Sequence, residues 1–413
     1  MKIVRIIARL NVGGPARHVV WLNQALQDDE FESVLLTGTV PEGEENMEYF
    51  AEANGVKPIF IKEMSRELSL QDAKSLWKIY REIVREKPDV IHTHTAKAGT
   101  VGRVAGFLYR WLTFGTLIGK PRKVKIIHTF HGHIFHGYYG DLKTKIFLFI
   151  EKNLARFASD KIIVISDQQR KEISGDFRVG KAKQFEVIRL GLDLEAFADW
   201  REKREILRRE INAEDDEILV GLVGRLTEIK NHEMFLRVIK LFEDARSNAE
   251  TEILSKVRFV IIGDGHRREP LEDMARELGI EHAVEFLGNR NDAEIFYAGL
   301  DVIALTSRNE GTPLSLIEAM ANEKPIISTS VGGVVDLLGD VRDKKDGFTI
   351  CERGIRTDSE DAEGFCKGLI HLIENPDLQK EFTRNGKDFV IRNYDKKRLI
   401  SDIKKLYEGL TKS

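Results

Sequence analysis

Cysteine is nearly missing from this sequence of 413 residues, which has only Cys351 and Cys366, both late in the chain. The sequence therefore supports neither a disulfide framework nor a cysteine metal cluster, and a cytosolic protein fits best. Long apolar runs are also missing, and none of those present could span a bilayer. The first residues lack the basic start, long apolar core and cleavage site of a signal peptide, so we expect them to form a first strand.

A large excess of charge of one sign is missing as well. The net charge of −3 gives no global attraction for nucleic acid, so the sequence disfavours a nucleic-acid partner. Hydrophobic residues make up 42% of the chain and charged residues 32%, as in soluble globular proteins. Because 413 residues exceed what one hydrophobic core usually supports, we expect two domains.

Short β-type runs alternate with helical stretches throughout the chain. In the first half they are Lys2–Ala8, Ser33–Gly38, Ile59–Lys62, Asp89–Thr93, Lys125–Thr129, Lys161–Ser166 and Glu186–Leu190. In the second half they are Glu217–Val223, Val257–Gly263, Val284–Gly288, Asp301–Thr306, Pro325–Ser328 and Gly347–Ile350. This alternation predicts an α/β protein with two doubly wound, Rossmann-like parallel sheets.

The two predicted sheets are separated by a segment without apolar periodicity, residues 190–216, which is charge-dense around residues 201–210 and suits a linker followed by a surface helix. We place the boundary near Asp199, which gives domains at 1–198 and 199–393, followed by a C-terminal segment at 394–413. That last segment is predicted to be amphipathic over Tyr394–Leu410. Packing of this helix on the second domain alone would explain its pattern.

Parallel sheets bind ligands beyond the carboxyl ends of their strands, so two facing sheets would form a cleft lined by strand-end residues. The first strand ends in Gly13 and Gly14, which would let the backbone approach a ligand closely. A plain strand-to-helix turn explains the same pair equally well. The full G-x-G-x-x-G fingerprint is missing, which disfavours a nicotinamide enzyme.

Histidine is concentrated at the ends of the fourth and fifth strands, where the sequence has His92, His94, His128, His131, His133 and His136. Strand alternation predicts that His92 and His94 share one face, and that His128 lies on the opposite side from Thr129 and His131. The spacings match no common zinc pattern, so we expect no metal. We select His131 to contact substrate, with His94 second, and regard His92 and His128 as ordinary interior residues.

Two cations follow a glycine turn at the start of the second half, where Gly224 precedes Arg225 and Lys230. A planar guanidinium and a compact ammonium together suit a diphosphate, although lone cations on loops are usually solvated. Further glycine turns close the next two strands, at Gly263 with Gly265 and at Leu287–Gly288, and they could border a nucleobase through backbone atoms. No Walker sequence is present, which excludes a P-loop enzyme.

The segment Ser307–Met320 places Glu310 and Glu318 across a predicted strand end, tight turn and helix start, with Gly311 in the turn. Thr312 is predicted to cap the helix and Pro313 to occupy its first position. The N–H groups of Leu314 and Ser315 would then point out of a helix end that favours phosphate. Taken alone, the two carboxylates would more simply be solvated surface groups.

Together these features closely resemble glycosyltransferase family 4, a family of retaining enzymes with the GT-B fold. The resemblance covers nearly the whole chain in order: Gly13-Gly14, Phe130-His131-Gly132, Gly224-Arg225 with Lys230-Asn231, Ile262–Gly265, Phe286–Gly288, and the Glu310 to Glu318 segment. The chain departs from the family in two loops. Many relatives have Glu-Gly-Phe-Gly where this chain has Glu310–Pro313, and Gly-Gly-Ala-Glu where it has Gly13–Ala16.

The resemblance implies transfer of a sugar from a nucleoside diphosphate donor, UDP-linked by family frequency, without an obligatory metal or other cofactor. The second domain would hold the donor and the first the acceptor, and the C-terminal helix would cross back to the first domain. Arg225 and Lys230 would bind the diphosphate, Glu310 the sugar hydroxyls, and Glu318 the ribose. Gly14 would contact phosphate, and His131 would lie near the donor sugar.

Two other functions compete with this one. A noncatalytic nucleotide-sugar sensor would be expected to lack Arg225, Lys230 or a glutamate, and all are present. A nucleotide-sugar epimerase of the same fold would need acid and base carboxylates placed for proton abstraction, and no dedicated arrangement is visible.

The acceptor side is less specific. Residues 103–125 combine aromatic and aliphatic side chains with Arg and Lys, which fits an interfacial membrane helix. A core helix followed by a basic loop fits equally well. If the first interpretation holds, we expect a lipid-linked saccharide acceptor at the cytoplasmic leaflet.

Overall fold

The structure is a computed structural model that describes residues 1–11, 13–40, 46–64, 71–132, 141–247 and 252–411. The sequence features at His133 and His136 lie outside the described residues. The chain divides into two compact units, Met1–Gly191 with Lys396–Ser413, and Leu192–Asp395. Each unit has its own sheet and its own buried core.

In the first unit, continuous runs of buried β-branched residues form a sheet in which every neighbouring pair is parallel, in the order β3-β2-β1-β4-β5-β6-β7. Its strands are β1 (Lys2–Arg9), β2 (Glu32–Gly38), β3 (Ile59–Phe60), β4 (Val90–His94), β5 (Lys125–Phe130), β6 (Lys161–Val164) and β7 (Phe185–Val187). The helices between them are α1 (Gly14–Ala25), α2 (Glu48–Ala53), α3 (Gln71–Glu86), α4 (Ala96–Trp111), α5 (Phe114–Leu117), α6 (Asp141–Phe157) and α7 (Asp167–Arg170).

The second unit repeats the alternation and adds an antiparallel edge. Its strands are β8 (Ile218–Val223), β9 (Val257–Ile262), β10 (Val284–Gly288), β11 (Val302–Leu305), β12 (Ile326–Thr329), β13 (Val341–Lys344), β14 (Thr349–Cys351) and β15 (Ile355–Thr357). They lie in the order β10-β9-β8-β11-β12-β15-β14-β13. The helices are α8 (Trp200–Glu210), α9 (His232–Arg246), α10 (Arg268–Glu277), α11 (Ala293–Gly299), α12 (Leu314–Ala321), α13 (Val334–Leu338), α14 (Ala362–Glu374) and α15 (Pro376–Tyr394), and α16 (Lys396–Thr411) follows.

The prediction of two doubly wound sheets is confirmed, with one difference at the edge of the second sheet. There β14 pairs antiparallel with both β13 and β15, and the sequence analysis predicted neither β13 nor β15. Strand β13 is charged and exposed along its whole length, so it has no apolar pattern from which to recognise it. Strand β15 has only three residues.

The junction between the units differs from the predicted boundary by several residues. The second unit begins at Leu192 rather than at Asp199. Phe197 explains the shift, because its ring packs against that of Tyr297 in the same unit at 6.4 Å. The charge-dense stretch predicted as a surface helix forms α8.

The C-terminal helix α16 packs on the sheet of the first unit. Leu399, Ile403 and Tyr407 are buried in one cluster with Ile3 of β1 and Val90 of β4. Tyr394, predicted to begin this helix, is instead the last residue of α15, and the helix begins at Lys396. The guanidinium of Arg398 donates to the carbonyl oxygens of residues 189 and 190 at 2.7 and 2.6 Å, which fixes the start of the helix.

The segment 103–125 is not one interfacial helix. Helix α4 ends at Trp111, and α5 begins at Phe114 after Thr113, whose side chain caps it. Arg103, one of the cations on which the interfacial interpretation of this segment depends, is fully buried and pairs with Glu151 of α6 at 2.6 Å. Within the described residues, no helix combines the length and the hydropathy that crossing a membrane requires.

Candidate functional site

In the second unit, the loops after β8 and β9 are packed backbone to backbone. Gly224 N–H donates to the carbonyl of Ile262, and Leu226 N–H to that of Asp264, both at 2.9 Å. Gly263 lies so close that an added Cβ would be 2.0 Å from the carbonyl oxygen of Gly224. The predicted turn residues Gly224, Gly263 and Gly265 are therefore brought together, and glycine is required at positions 263 and 265 for the two loops to meet. Half-buried Leu287 belongs to the neighbouring β10.

Lys230 and Glu310 form the central polar contact of this unit. Lys230 Nζ lies 2.6 Å from Glu310 Oε1, and Ser307 Oγ donates to the same oxygen at 2.6 Å. The lysine stem passes beside Gly224, where an added Cβ would be 3.6 Å from its Cδ. Both side chains are mostly buried, with 20% and 10% exposed. Both are predicted site residues, but their pairing was not predicted.

Arg225 has a different environment. Its side chain is exposed and makes no ion pair within the part of the chain that the structure describes. Its neighbour Arg308, which the sequence analysis missed, donates to Glu360 at 2.6 Å and to the carbonyl of Glu228 at 2.7 Å. The bond to Arg308 lowers the pKa of the Glu360 carboxyl below its usual range. Of these two arginines, Arg225 is the one left available to an anion.

The turn that carries Glu310 is held by a loop that the sequence analysis missed. Gly333 N–H, just after β12, donates to the carbonyl of Gly311 at 2.8 Å. Gly332 has a φ of +48°, and a Cβ there would lie 1.8 Å from the carbonyl oxygen of Glu310. The paired glycines at the end of a predicted strand were the available signal for this contact, by the same reasoning that singled out Gly13 and Gly14.

Helix α12 begins one residue later than predicted. Pro313 occupies the N-cap position and its carbonyl accepts from Leu316 and Ile317 at 3.2 and 3.4 Å, so the prediction that Thr312 caps the helix is wrong. Thr312 is buried instead, and its hydroxyl has no partner among the described residues. The N–H groups of Leu314 and Ser315 precede the first helical hydrogen bond, as predicted. Glu318 lies one turn further along and is 9% exposed.

In the first unit, four histidines pack together at the carboxyl ends of β4 and β5 and on α1. His94 Nδ1 lies 3.0 Å from His131 Nε2, and the ring centroids of His92 and His94 are 4.2 Å apart. His18 of α1, which sequence reasoning did not select, reaches the ring of His131 at 4.8 Å. Its helix starts at Gly14 of the predicted glycine pair, with Gly13 at the N-cap.

The predicted alternation of side chains is confirmed. His92 Nε2 contacts Thr129 Oγ1 at 2.7 Å on one face of the sheet, and His128 Nδ1 contacts Thr93 Oγ1 at 2.9 Å on the other. His128 is therefore an interior residue apart from the cluster. His92 is also interior, but it belongs to the cluster because its ring contacts that of His94.

The cluster is electrically neutral near pH 7. Burial lowers the pKa values of His18, His92 and His94 well below the usual value and lowers that of His131 to about 4. Neutral imidazole can donate from one nitrogen and accept at the other. His94 Nε2, His131 Nδ1 and both ring nitrogens of His18 have no hydrogen-bond partner among the described residues. These atoms are buried, and they are the hydrogen-bonding positions of the cluster that the described residues leave unfilled.

Three of these histidines also form the one group of metal-ligand type among the described residues. Ring nitrogens of His18, His94 and His131 all lie within 4.8 Å of one another. No carboxylate belongs to the group, and the contact between His94 and His131 already occupies one nitrogen of each. The absence of a bound metal stays a prediction.

Comparisons with known proteins agree with these two units. The family model described as "Glycosyltransferase Family 4" matches residues 12–196, and the one described as "Glycosyl transferases group 1" matches residues 203–389. Together they cover nearly the same residues as the two units.

Curated relatives extend over most of the chain. A UDP-Gal:alpha-D-GlcNAc-diphosphoundecaprenol alpha-1,3-galactosyltransferase of Escherichia coli is 27% identical over 86% of this chain and 84% of its own length. The capsular polysaccharide biosynthesis glycosyltransferase CapM of Staphylococcus aureus is 23% identical over 90% of this chain and 89% of its own.

Among solved structures, Anabaena Alr3699/HepE in complex with UDP matches with a TM-score of 0.76 at 19% identity, over 99% of this chain and 100% of that one. At this identity the likeness concerns the fold, which is the two-domain GT-B arrangement of Rossmann-like units.

Proposed function

Because the chain belongs to glycosyltransferase family 4, we propose that it transfers a sugar, with retention of configuration, from a nucleoside diphosphate donor to a saccharide or lipid-linked saccharide acceptor. The preferred donor is a UDP-sugar, since UDP is named for both the Escherichia coli relative and the Anabaena structure. The process served is synthesis of cell-surface polysaccharide or glycoconjugate, as named for the Staphylococcus aureus relative.

The contact between Lys230 and Glu310 is the observation that carries this proposal. An ammonium has three N–H donors and Lys230 directs one to Glu310, so the others serve the donor diphosphate. An ionised carboxylate accepts about four hydrogen bonds, so Glu310 retains sites for sugar hydroxyls after binding Lys230 and Ser307. In this proposal Lys230 binds the diphosphate of the donor, and its partner Glu310 binds the sugar. Glu318 binds the ribose.

Catalysis in this proposal is electrostatic. As the bond from the anomeric carbon to the diphosphate oxygen breaks, negative charge grows on the leaving group. Lys230, the exposed guanidinium of Arg225 and the first N–H groups of α12 stabilise that charge, and they are held in place before the reaction. Because Pro313 has no N–H, the amides of Leu314 and Ser315 serve as the donors at this helix end.

Retention follows from attack on the face that the diphosphate leaves. The acceptor oxygen forms its bond to the anomeric carbon on that face, and its proton passes to the departing phosphate oxygen. No carboxylate nucleophile is needed, so Glu310 binds and orients the sugar. His131 and His94 of the first unit contact substrate through their unpartnered ring nitrogens, and the backbone at Gly14 contacts phosphate.

No obligatory metal takes part in this mechanism, since protein cations and amides supply the charge stabilisation. Turnover should therefore persist after dialysis against EDTA. Loss of turnover that is restored by a divalent cation would contradict this part of the proposal.

The acceptor is lipid-linked in this proposal, and the protein works at the cytoplasmic face of a membrane through residues 103–125. Phe114 and Leu117 of α5 are 90% and 82% exposed, and Ile118 follows at 72%. Lys120 and Lys123 are exposed beside them. Exposed apolar side chains next to cations favour an anionic lipid surface. The double variant Leu117→Ser/Ile118→Ser should reduce binding to anionic vesicles.

The deciding experiment incubates the protein with UDP-, GDP- and ADP-sugars and measures release of the free nucleoside diphosphate. We expect release with UDP-sugars, and NMR of the product should show the anomeric configuration of the donor. Glu310→Ala should abolish sugar use, whereas Glu281→Ala, an exposed control in the same unit, should leave it unchanged. Binding of a nucleotide sugar without release would indicate a sensor, and release with an inverted product would exclude retention.

A further inference from the structure

Helix α6 carries an exposed apolar stripe outside the segment just considered. Leu142, Ile146 and Phe149 are 73%, 49% and 69% exposed, and their spacing places them on one face of the helix. The opposite face of α6 buries Leu154 and Ala155 in the first unit. The stripe is thus the outward face of a helix that already has its inward packing.

Among the described residues of α6, the exposed charged side chains are cations. Of the seven Lys and Arg residues between Asp89 and Asp141, Lys97, Arg103 and Arg110 already pair with Asp72, Glu151 and Asp160, whereas Lys120 and Lys123 are exposed. On α6 itself, Glu151 is buried against Arg103. Lys145 and Arg156 are exposed, and neither has an ion pair within the described ranges.

The topology connects the stripe to both the segment 103–125 and the histidine cluster. Strands β4 and β5 are parallel neighbours, and α4 and α6 follow them and return along the sheet. The pair formed by Arg103 and Glu151 joins the two helices side by side. Trp111 and Phe157, at the C-terminal ends of α4 and α6, therefore lie at the same end of the unit. Leu142 is about 22 Å from Phe157 along α6, and it lies toward the strand ends that carry His94 and His131.

We propose that this stripe is a second membrane-contacting surface and that an anionic lipid bilayer is its occupant. This inference rests on the proposed function and deepens it. Contact through both α5 and α6 lays the axis of α6 along the membrane plane, so the strand ends of the first unit lie at headgroup level. A saccharide carried on a membrane lipid then reaches His131 without leaving the leaflet.

The positive charges of Lys145 and Arg156 favour a bilayer over a second copy of this chain as the occupant of the stripe. Two copies meeting through the stripe would bring Lys145 and Arg156 against the same cations of the partner, which is unfavourable. An anionic leaflet attracts these cations while its hydrocarbon receives the apolar side chains. The same arguments disfavour a basic protein partner.

The test is vesicle flotation of the whole protein without donor, using phosphatidylcholine alone or with phosphatidylglycerol. The triple variant Leu142→Ser/Ile146→Ser/Phe149→Ser should lower partitioning to anionic vesicles by about tenfold or more. The matched control is Ile206→Ser/Ile391→Ser, which changes side chains of the second unit that are 49% and 48% exposed, and it should leave partitioning unchanged. Circular dichroism checks that each variant is folded.

Should the triple variant fail to fold, the variant Lys145→Gln/Arg156→Gln provides a second test. Its partitioning to anionic vesicles should fall by about fivefold for each charge removed, and its partitioning to neutral vesicles should stay unchanged. Native-like flotation of the folded variants would overturn the proposal. A change in sedimentation from dimer to monomer, with flotation unchanged, would assign the stripe to a second copy. Because no donor is present, stripe-dependent flotation without nucleotide release would reject the proposed function and leave this surface standing.

Discussion

The two units build their candidate sites in opposite ways. The second unit uses charge: Lys230 pairs with Glu310, Arg308 pairs with Glu360, and Arg225 is left exposed. The first unit uses three buried histidines and the half-buried His131, without a carboxylate among them, and desolvation keeps the imidazoles neutral. A charged site suits a group that gains negative charge during a reaction, whereas a neutral polar site suits hydroxyl groups. The difference therefore supports donor binding by the second unit and acceptor binding by the first.

The largest effect is expected from Lys230→Ala. It removes a cation from the diphosphate and frees Glu310 from its partner, so kcat should fall by about 10³-fold. The measurement is release of the nucleoside diphosphate at saturating donor. Lys240→Ala, which removes an exposed lysine of α9 paired with Asp244, is the matched control and should keep full activity. A loss below about tenfold for Lys230→Ala would mean that charge in the second unit is not the source of catalysis.

Arg225→Ala should have the next largest effect, a loss of about 10²-fold in kcat/KM. Because the Arg225 side chain is exposed and has no ion pair among the described residues, the free energy of unfolding should change by less than about 0.5 kcal/mol. Arg225→Lys should restore part of the activity, since it keeps the charge and loses the planar fork. Equal losses in activity and stability would show a structural role. Arg384→Ala is an exposed control.

The candidate site residues could be found from the sequence because each lies near the end of an apolar run. The strand ends gave Arg225, Lys230, Glu310 and His131 as candidates. The sequence could not give the pairing of Lys230 with Glu310, because the two residues are 80 positions apart and only the strand order makes them neighbours. The close packing of Gly332 on Glu310 depends on the same order.

The first unit was less predictable for a related reason. His18 lies on a helix whose pattern shows only an ordinary buried face, so nothing in the sequence marked it as part of a cluster with His94 and His131. The short charged strand β13 was missed because Val341 is its one apolar residue. The exposed stripe of α6 could not be recognised either, since apolar residues spaced along a helix more often indicate the core.

Burial of histidines predicts a pH dependence of stability to which both units contribute, since the pKa of His131 in the first unit and that of His232 in the second each fall to about 4. The pKa of His131 falls from 6.5 to about 4 in the folded protein, so between these values the unfolded chain binds the proton and the folded chain does not. Stability is therefore complete above pH 6.5 and falls as the pH drops toward 4, by about 1.4 kcal/mol per pH unit for this residue. Urea unfolding at pH 8, 7, 6 and 5 measures the slope.

Two variants isolate the cause of that slope. His131→Gln should lower the slope between pH 6.5 and 5 by about 1.4 kcal/mol per pH unit, because glutamine binds no proton while the other buried histidines keep their contributions. His282→Gln replaces an exposed histidine of the second unit and should leave the slope as it is. If His131→Gln keeps the full slope, burial of this imidazole does not control the pH dependence, and the contrast between a neutral and a charged site loses its support.

The smallest effect on activity is expected from Tyr407→Phe in α16. The Tyr407 hydroxyl lies 2.6 Å from His92 Nδ1, and the Arg5 guanidinium lies 3.3 Å from the same atom. Since arginine only donates, Nδ1 accepts and Nε2–H donates to Thr129, which fixes the tautomer of the imidazole beneath His94. Losing one buried hydrogen bond should cost about 1 to 3 kcal/mol in unfolding free energy, measured by urea unfolding. Because Arg5 still holds the tautomer, kcat should change by less than about threefold. A loss in kcat as large as that of Lys230→Ala, without loss of stability, would show that the neutral cluster takes part in the chemistry as directly as the charged site does.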